Sequence, residues 1–158
     1  MIVSVWILLL AFGSYFAQKW LDKRNRGQIP ANISGPDGRL SVELQADQLG
    51  HYVVIAEVNG QPVTFLVDTG ASGVSIPGDI ASNLGLEPGL TYPVSTANGI
   101  INVRSTHLAR LSIGKISLDN VRASINPAMD GDVGLLGMTF LRHFELVQRD
   151  GYLTIREP

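Results

Sequence analysis

The sequence predicts an all-β domain of short hairpins with one or two short helices, preceded by an apolar N-terminal span. Three observations point there. From Leu40 onward the apolar residues come in short runs, several alternating with the period of two that a half-buried strand requires. Asn59-Gly60, Asn98-Gly99 and Asp150-Gly151 each separate two such runs, and Asn-Gly and Asp-Gly are strong short-range hairpin signals. The 17 glycines and 8 prolines are scattered rather than clustered, which suits a fold with many tight turns.

Ile2 to Ala17 is almost wholly apolar and uncharged. Extended through Trp20 and Leu21, with Lys19 snorkelling, it approaches the roughly 20 residues that a membrane-crossing helix needs. Trp6, Tyr15 and Trp20 suit interfacial anchoring. A cleaved signal peptide wants a basic start and a small-x-small cleavage site, and only Met1 precedes the apolar run. Residues 1–21 therefore read as an uncleaved transmembrane anchor that makes this a single-pass membrane protein. Lys19, Lys23, Arg24 and Arg26, opposed only by Asp22, favour the cytoplasmic side for the domain, with the periplasm as the alternative.

Residues 22–39 are polar, contain Gly and Pro, and lack an apolar period, so they read as a flexible linker. The Asn32-Ile-Ser34 sequon within them carries little weight. Residues 40–158 form the folded domain. Strands are expected at Leu40–Leu44, His51–Val58, Gln61–Val67 and Val74–Ile76. Pro77 to Leu84 reads as a short helix with Pro near its first turn, closed by Gly85. Leu90–Thr96 and Ile100–Thr106 make a second hairpin. Leu108–Ile113, Ile116–Leu118 and Val121–Ile125 follow as further strands. Met138 to Phe144 has the spacing of a short helix, and Glu145–Gln148 with Tyr152–Ile155 make a last hairpin. A hairpin, an apolar strand into a Gly turn and a short helix thus occur twice, Leu135-Leu136-Gly137 standing where Val67-Asp68-Thr69-Gly70 stood.

Composition narrows the chemistry. Hydrophobic residues make up 45% and charged residues 16% of the 158 residues, too apolar for disorder. A net charge of −2 implies no basic face, and so no nucleic acid as partner. The absence of cysteine excludes disulfides, thiolate metal sites and cysteine nucleophiles together. His51, His107 and His143 form no ligand pair, so neither a metal nor another cofactor is expected. Asp130-Gly131-Asp132 reads as a solvated turn rather than a calcium site. No Gly-x-Ser-x-Gly elbow and no phosphate-cradling glycine loop occurs.

Asp68 remains. An apolar strand, Val63 to Val67, delivers this carboxylate into the small-residue turn Thr69-Gly70-Ala71-Ser72-Gly73. A charge so placed is normally paired, hydrogen-bonded or neutralised, and such groups mark functional sites. The plain alternative is an Asx turn that ends a strand. One carboxylate cannot serve as acid and base at once when water attacks an amide. Two that share a proton can. Only one Asp-Thr-Gly occurs, so the simplest second carboxylate is Asp68 of a partner across a two-fold axis, in a homodimer.

Phe65-Leu66-Val67-Asp68-Thr69-Gly70-Ala71-Ser72, followed by Gly134-Leu135-Leu136-Gly137-Met138-Thr139-Phe140-Leu141, resembles the retropepsin-like aspartic proteases, in particular the bacterial, membrane-anchored, single-lobe members. The similarity spans about Leu40 to Ile155. It implies a retropepsin-like acid-protease lobe, a closed, hairpin-rich, barrel-like fold. It also implies a membrane-tethered aspartic endopeptidase of the bacterial inner membrane, acting on an extended polypeptide substrate by direct water attack, without metal or covalent intermediate. Asp68 is then the catalytic aspartate. Thr69 bonds across the dyad to the partner, and Gly70 lets the backbone amide approach the carboxylates. Ala71 and Ser72 line the cleft, and the hairpin around Thr96, Ala97, Asn98 and Gly99 is a substrate-covering flap. Leu135-Leu136-Gly137 supports the catalytic turn, and the strand Tyr152 to Ile155 joins the dimer interface. The flap aromatic of two-lobed relatives is missing unless Tyr92 serves. The alternatives are a non-catalytic retropepsin-like module for peptide binding or dimerisation, against which the intact Asp-Thr-Gly argues, and a membrane-attached β-domain of structural role.

Overall fold

The computed structural model describes residues 27–34, 38–96 and 99–158. The predicted anchor, residues 1–21, lies outside these, as do residues 22–26 of the predicted linker and Ala97 and Asn98 of the predicted flap. Among the described residues no helix is long and apolar enough to cross a membrane.

The described chain is all-β with two short helices, in the order β1 (Ala31–Ser34), β2 (Leu40–Gln45), β3 (Val53–Val58), β4 (Gln61–Val67), β5 (Val74–Pro77), α1 (Gly78–Asn83), β6 (Thr91–Thr96), β7 (Gly99–Ile113), β8 (Ile116–Asn126), β9 (Val133–Leu136), α2 (Met138–Leu141), β10 (Glu145–Arg149) and β11 (Tyr152–Arg156). Two of the expected hairpin tips have the geometry their residues favour. Asn59 and Gly60 have φ of 53° and 82°, and Asp150 and Gly151 have φ of 50° and 81°. Positive φ at both central residues matches the right-handed twist of the flanking strands, which is why Asn-Gly and Asp-Gly stand there.

One sheet runs β3-β4-β9-β5-β8-β7-β6, and β3 also pairs with β7 at Glu57↔Ser112 and Val58↔Leu111. That second pairing closes six strands into a barrel and removes their free edges. Alternate residues of the strands fill its inside: Val54, Ala56 and Val58 of β3, Val63 and Phe65 of β4, and Leu111 and Ile113 of β7 are all buried. β7 is a single strand of 15 residues where two were expected. Its register with β8 is the same from Arg104 to Ile113, skipping only Ala109 opposite Asn120, while Gly99 to Arg104 pairs with β6. The start of β7 therefore leaves the barrel to form a hairpin with β6, whose residues are mostly exposed. β8 likewise merges the two expected strands on either side of Asn120.

The second sheet runs β1-β2-β11-β10. Its β1 corrects the expectation of a flexible linker over residues 22–39: Ala31 to Ser34 pairs antiparallel with Glu43 to Leu40. Just before it, the Gln28 backbone donates to the Val53 carbonyl and accepts from the Ile55 amide, each at 3.0 Å. The Gln28 side chain exchanges two hydrogen bonds with the Gln45 backbone, at 2.6 and 2.7 Å. Asn32 of the sequon accepts the Lys115 amide at 2.8 Å. A polar edge strand needs only backbone partners, so no apolar period marks it. β11 is hydrogen-bonded on one edge to β10 and on the other to β2. The last strand, expected at a dimer interface, thus offers a partner no free backbone edge; the outer strands of this sheet are β1 and β10.

Candidate active site

Asp68 follows the last residue of β4, and the turn from Asp68 to Gly73 leads into β5. The two strands flanking this turn are not neighbours. β9 lies between them, parallel to β4 with Val67 opposite Leu136, and touching β5 at Ser75↔Leu135. The inserted strand and the helix α2 that follows it supply the turn's hydrogen bonds. The Asp68 amide donates to the Leu136 carbonyl at 3.1 Å, and the Met138 amide donates to the Ala71 carbonyl at 2.9 Å. The Thr139 hydroxyl accepts the Val74 amide at 2.9 Å. Leu135-Leu136-Gly137 therefore supports the turn, as the resemblance implied, from the end of β9 and the start of α2.

The fit is close enough to require glycine. A Cβ on Gly137 would collide with the backbone carbonyl oxygens of Gly73 and Ala71, and one on Gly134 with the Phe65 ring. Backbone atoms cannot step aside as a flexible side chain can. Gly137→Ala is accordingly expected to cost about 1–3 kcal/mol of stability, the usual range for overpacking. Chemical denaturation checks this; an unchanged midpoint would show that the turn yields freely.

Within the turn, one Asp68 carboxylate oxygen, Oδ1, accepts the Gly70 amide at 2.8 Å, and the Asp68 carbonyl accepts the Ala71 amide at 3.2 Å. This is the Asx-turn geometry of the plain alternative, and it holds the carboxylate toward the opening. Asp68 is half-buried, whereas Thr69 and Gly70 are exposed. The carboxylate faces a cleft of about 730 Å³ between the turn and the β6–β7 hairpin. Asp68, Gly70, Ala71, Ser72 and Thr96 line it together. Thr69 does not, and stands outward on the turn. Gly99 pairs with Thr96 at the hairpin tip without lining the cleft. The Thr96 hydroxyl donates to the Gly99 carbonyl at 2.8 Å, bracing the tip. Tyr92, the aromatic considered for the flap, does line the cleft.

Several lining residues escaped the sequence reading: Thr139, Ser75, Arg122, Ser124 and Asn126. Thr139 lay inside the quoted Gly134–Leu141 block without a role. The β8 residues had a partial signal, since burial of Val121, Ala123 and Ile125 turns 122, 124 and 126 to the other face. No local pattern says that this face looks onto Asp68. None of the three histidines lines the cleft; His51 lies 3.7 Å from Asp47 in the turn before β3. Asp68 is the only carboxylate among the described residues that line it.

Comparison with known proteins agrees with this geometry. Residues 54–143, more than half of the chain, match the family described as "gag-polyprotein putative aspartyl protease". An uncharacterized protein from the cobV 5′ region of a Sinorhizobium species is 35% identical over 138 residues, covering 83% of this chain and 59% of that protein. An uncharacterized protein of Rickettsia prowazekii (strain Madrid E) is 31% identical over 109 residues, covering 67% of this chain and 46% of that one. The chain thus spans less than two thirds of the length of either curated relative. Among solved structures, a retropepsin-like aspartic protease from Rickettsia conorii superposes with a TM-score of 0.60 at 26% identity, over 81% of this chain and 94% of that one.

Proposed function

The chain belongs to the retropepsin-like aspartic protease family, and from that premise we propose that it is a membrane-tethered aspartic endopeptidase whose catalytic pair is Asp68 of two copies of the chain. One observation carries the reading. Among the described residues the cleft holds a single carboxylate, held by one amide hydrogen bond and flanked by the exposed Thr69 and Gly70. A second copy meeting this one across a two-fold axis at Thr69 supplies the missing carboxylate and covers those residues.

With two carboxylates sharing one proton, the ionised one takes a proton from water while the protonated one hydrogen-bonds the peptide carbonyl. The water oxygen bonds to the carbonyl carbon as the protonated carboxyl gives its proton to the carbonyl oxygen, leaving a tetrahedral diol and moving the shared proton to the other carboxyl. The carboxyl that now holds the proton gives it to the nitrogen. The other takes a proton from a diol hydroxyl as the C–N bond breaks and the carboxylic acid forms, and the dyad is left with its single proton. The neutral, small-residue walls at Ala71, Ser72, Ser75 and Ser124 suit an extended chain held by backbone hydrogen bonds. The β6–β7 hairpin, carrying Tyr92 and Thr96 over the same cleft, serves as the cover that excludes water during the reaction. Peptide cleavage by the full chain, with Asp68→Asn beside it, tests this; cleavage by the variant at the wild-type rate overturns it.

In this reading the tether is residues 1–21, in a bacterial inner membrane as the resemblance implies, and the basic run after them favours the cytoplasmic side for the domain over the periplasmic one. A compartment-sensitive reporter fused at the C-terminus is expected to read cytoplasmic. A periplasmic signal would reverse the assignment without touching the chemistry.

A further inference from the structure

Among the described residues that line the cleft, only two are charged: Asp68 and Arg122. Arg122 sits on β8 between the buried Val121 and Ala123, with its own side chain exposed. Strand pairing sets its place. Ala123 lies opposite Val74, the first residue of β5 after the catalytic turn, and the Ser124 hydroxyl donates to the Val74 carbonyl at 3.3 Å. A rigid strand therefore carries Arg122 one residue away from the end of the turn that holds Asp68.

Among the described residues, Arg110 meets Asp119 at 3.1 Å, Arg149 meets Asp150 at 3.5 Å and Arg156 meets Glu145 at 2.6 Å, while Arg104 and Arg142, like Arg122, have no acid beside them; of all these only Arg122 lines the cleft. The Arg122 side chain has no ion-pair or hydrogen-bond partner among the described residues, and Asp68 in the same cleft does not pair with it. A guanidinium presents a planar fork that matches a carboxylate in two parallel hydrogen bonds, a match that an ammonium cannot reproduce.

We propose that Arg122 is a specificity residue that selects peptides placing a carboxylate against β8, either from an Asp or Glu side chain or from a free C-terminus. As to substrate, this rests on the peptidase reading of the cleft. The two sources of carboxylate are separated by end-blocked peptides carrying Glu or Gln at successive positions, and by one neutral peptide with a free or an amidated C-terminus.

With the full-length chain, the preferred acidic peptide is expected to exceed its neutral twin in kcat/KM by about tenfold, as a charge-assisted pair in a half-open cleft allows. Arg122→Ala brings that ratio close to one. Arg122→Lys keeps the charge but not the fork and falls between. Arg122→Glu shifts preference to Lys-bearing peptides, and added salt narrows every ratio. Fluorescence anisotropy of the same peptides on the Asp68→Asn chain, with and without Arg122→Ala, reads selection without turnover. Arg122-dependent binding preference with no turnover in the wild type would retire the peptidase reading and leave the carboxylate site standing. Turnover with no acidic preference, or a preference that survives Arg122→Ala, would overturn the role of Arg122. Neither turnover nor discriminating binding would overturn both.

Discussion

Asp68→Asn is expected to lower peptide cleavage by about 10²–10⁴-fold, the scale of positioned acid–base catalysis. The substitution is nearly isosteric. The amide oxygen of Asn can still accept the Gly70 N–H that Oδ1 accepts at 2.8 Å, so the turn keeps its shape. On the peptidase reading, what is lost is the capacity to take a proton from water and return it to the leaving nitrogen. Stability should change little, because the carboxylate is only half-buried and no ion pair among the described residues depends on it. The measurement is turnover of a peptide substrate beside a denaturation curve. An intact curve with lost turnover supports the role, and retained turnover ends it.

The second large effect comes from mixing. If each working site takes Asp68 from two copies, an equal mixture of wild-type and Asp68→Asn chains, once subunits have exchanged, leaves roughly a quarter of the dimers with both carboxylates, as random two-fold assembly dictates. An excess of the variant at constant wild-type concentration should then suppress activity well below that of the wild type alone. Specific activity should also rise with concentration through the dimerisation range. Activity that simply tracks the amount of wild-type chain, and ignores dilution, would show that one copy is sufficient. The free edges of β1 and β10, rather than the doubly paired β11, are where an added strand from a partner could pair.

Much of this was legible without coordinates because the signals were short-range. Alternating apolar residues mark β2, β3 and β4. Asn59-Gly60 and Asp150-Gly151 favour the positive φ that their turns adopt, and Pro77 with Gly85 brackets α1. Asp68 stood out because a charge at the end of a buried strand needs a reason. β1 stayed hidden for the opposite cause. It is a polar edge strand held by backbone bonds and by the side chains of Gln28 and Asn32, and polar segments with Gly and Pro look the same whether paired or free.

By itself, then, the sequence determined the all-β class, the hairpin tips and the aspartate in its small-residue turn, since each depends on residues within a few positions of one another. Only the tertiary structure decided the rest. It inserted β9 between β4 and β5, closed the barrel through β3 and β7, and turned Thr139 and Arg122 toward the turn that carries Asp68. Those arrangements join residues some 50 to 70 positions apart in the chain, Val67 with Leu136 and Val74 with Ala123 among them. They follow from burying the two sides of several strands at once, and that shared packing leaves no mark in any one stretch of sequence.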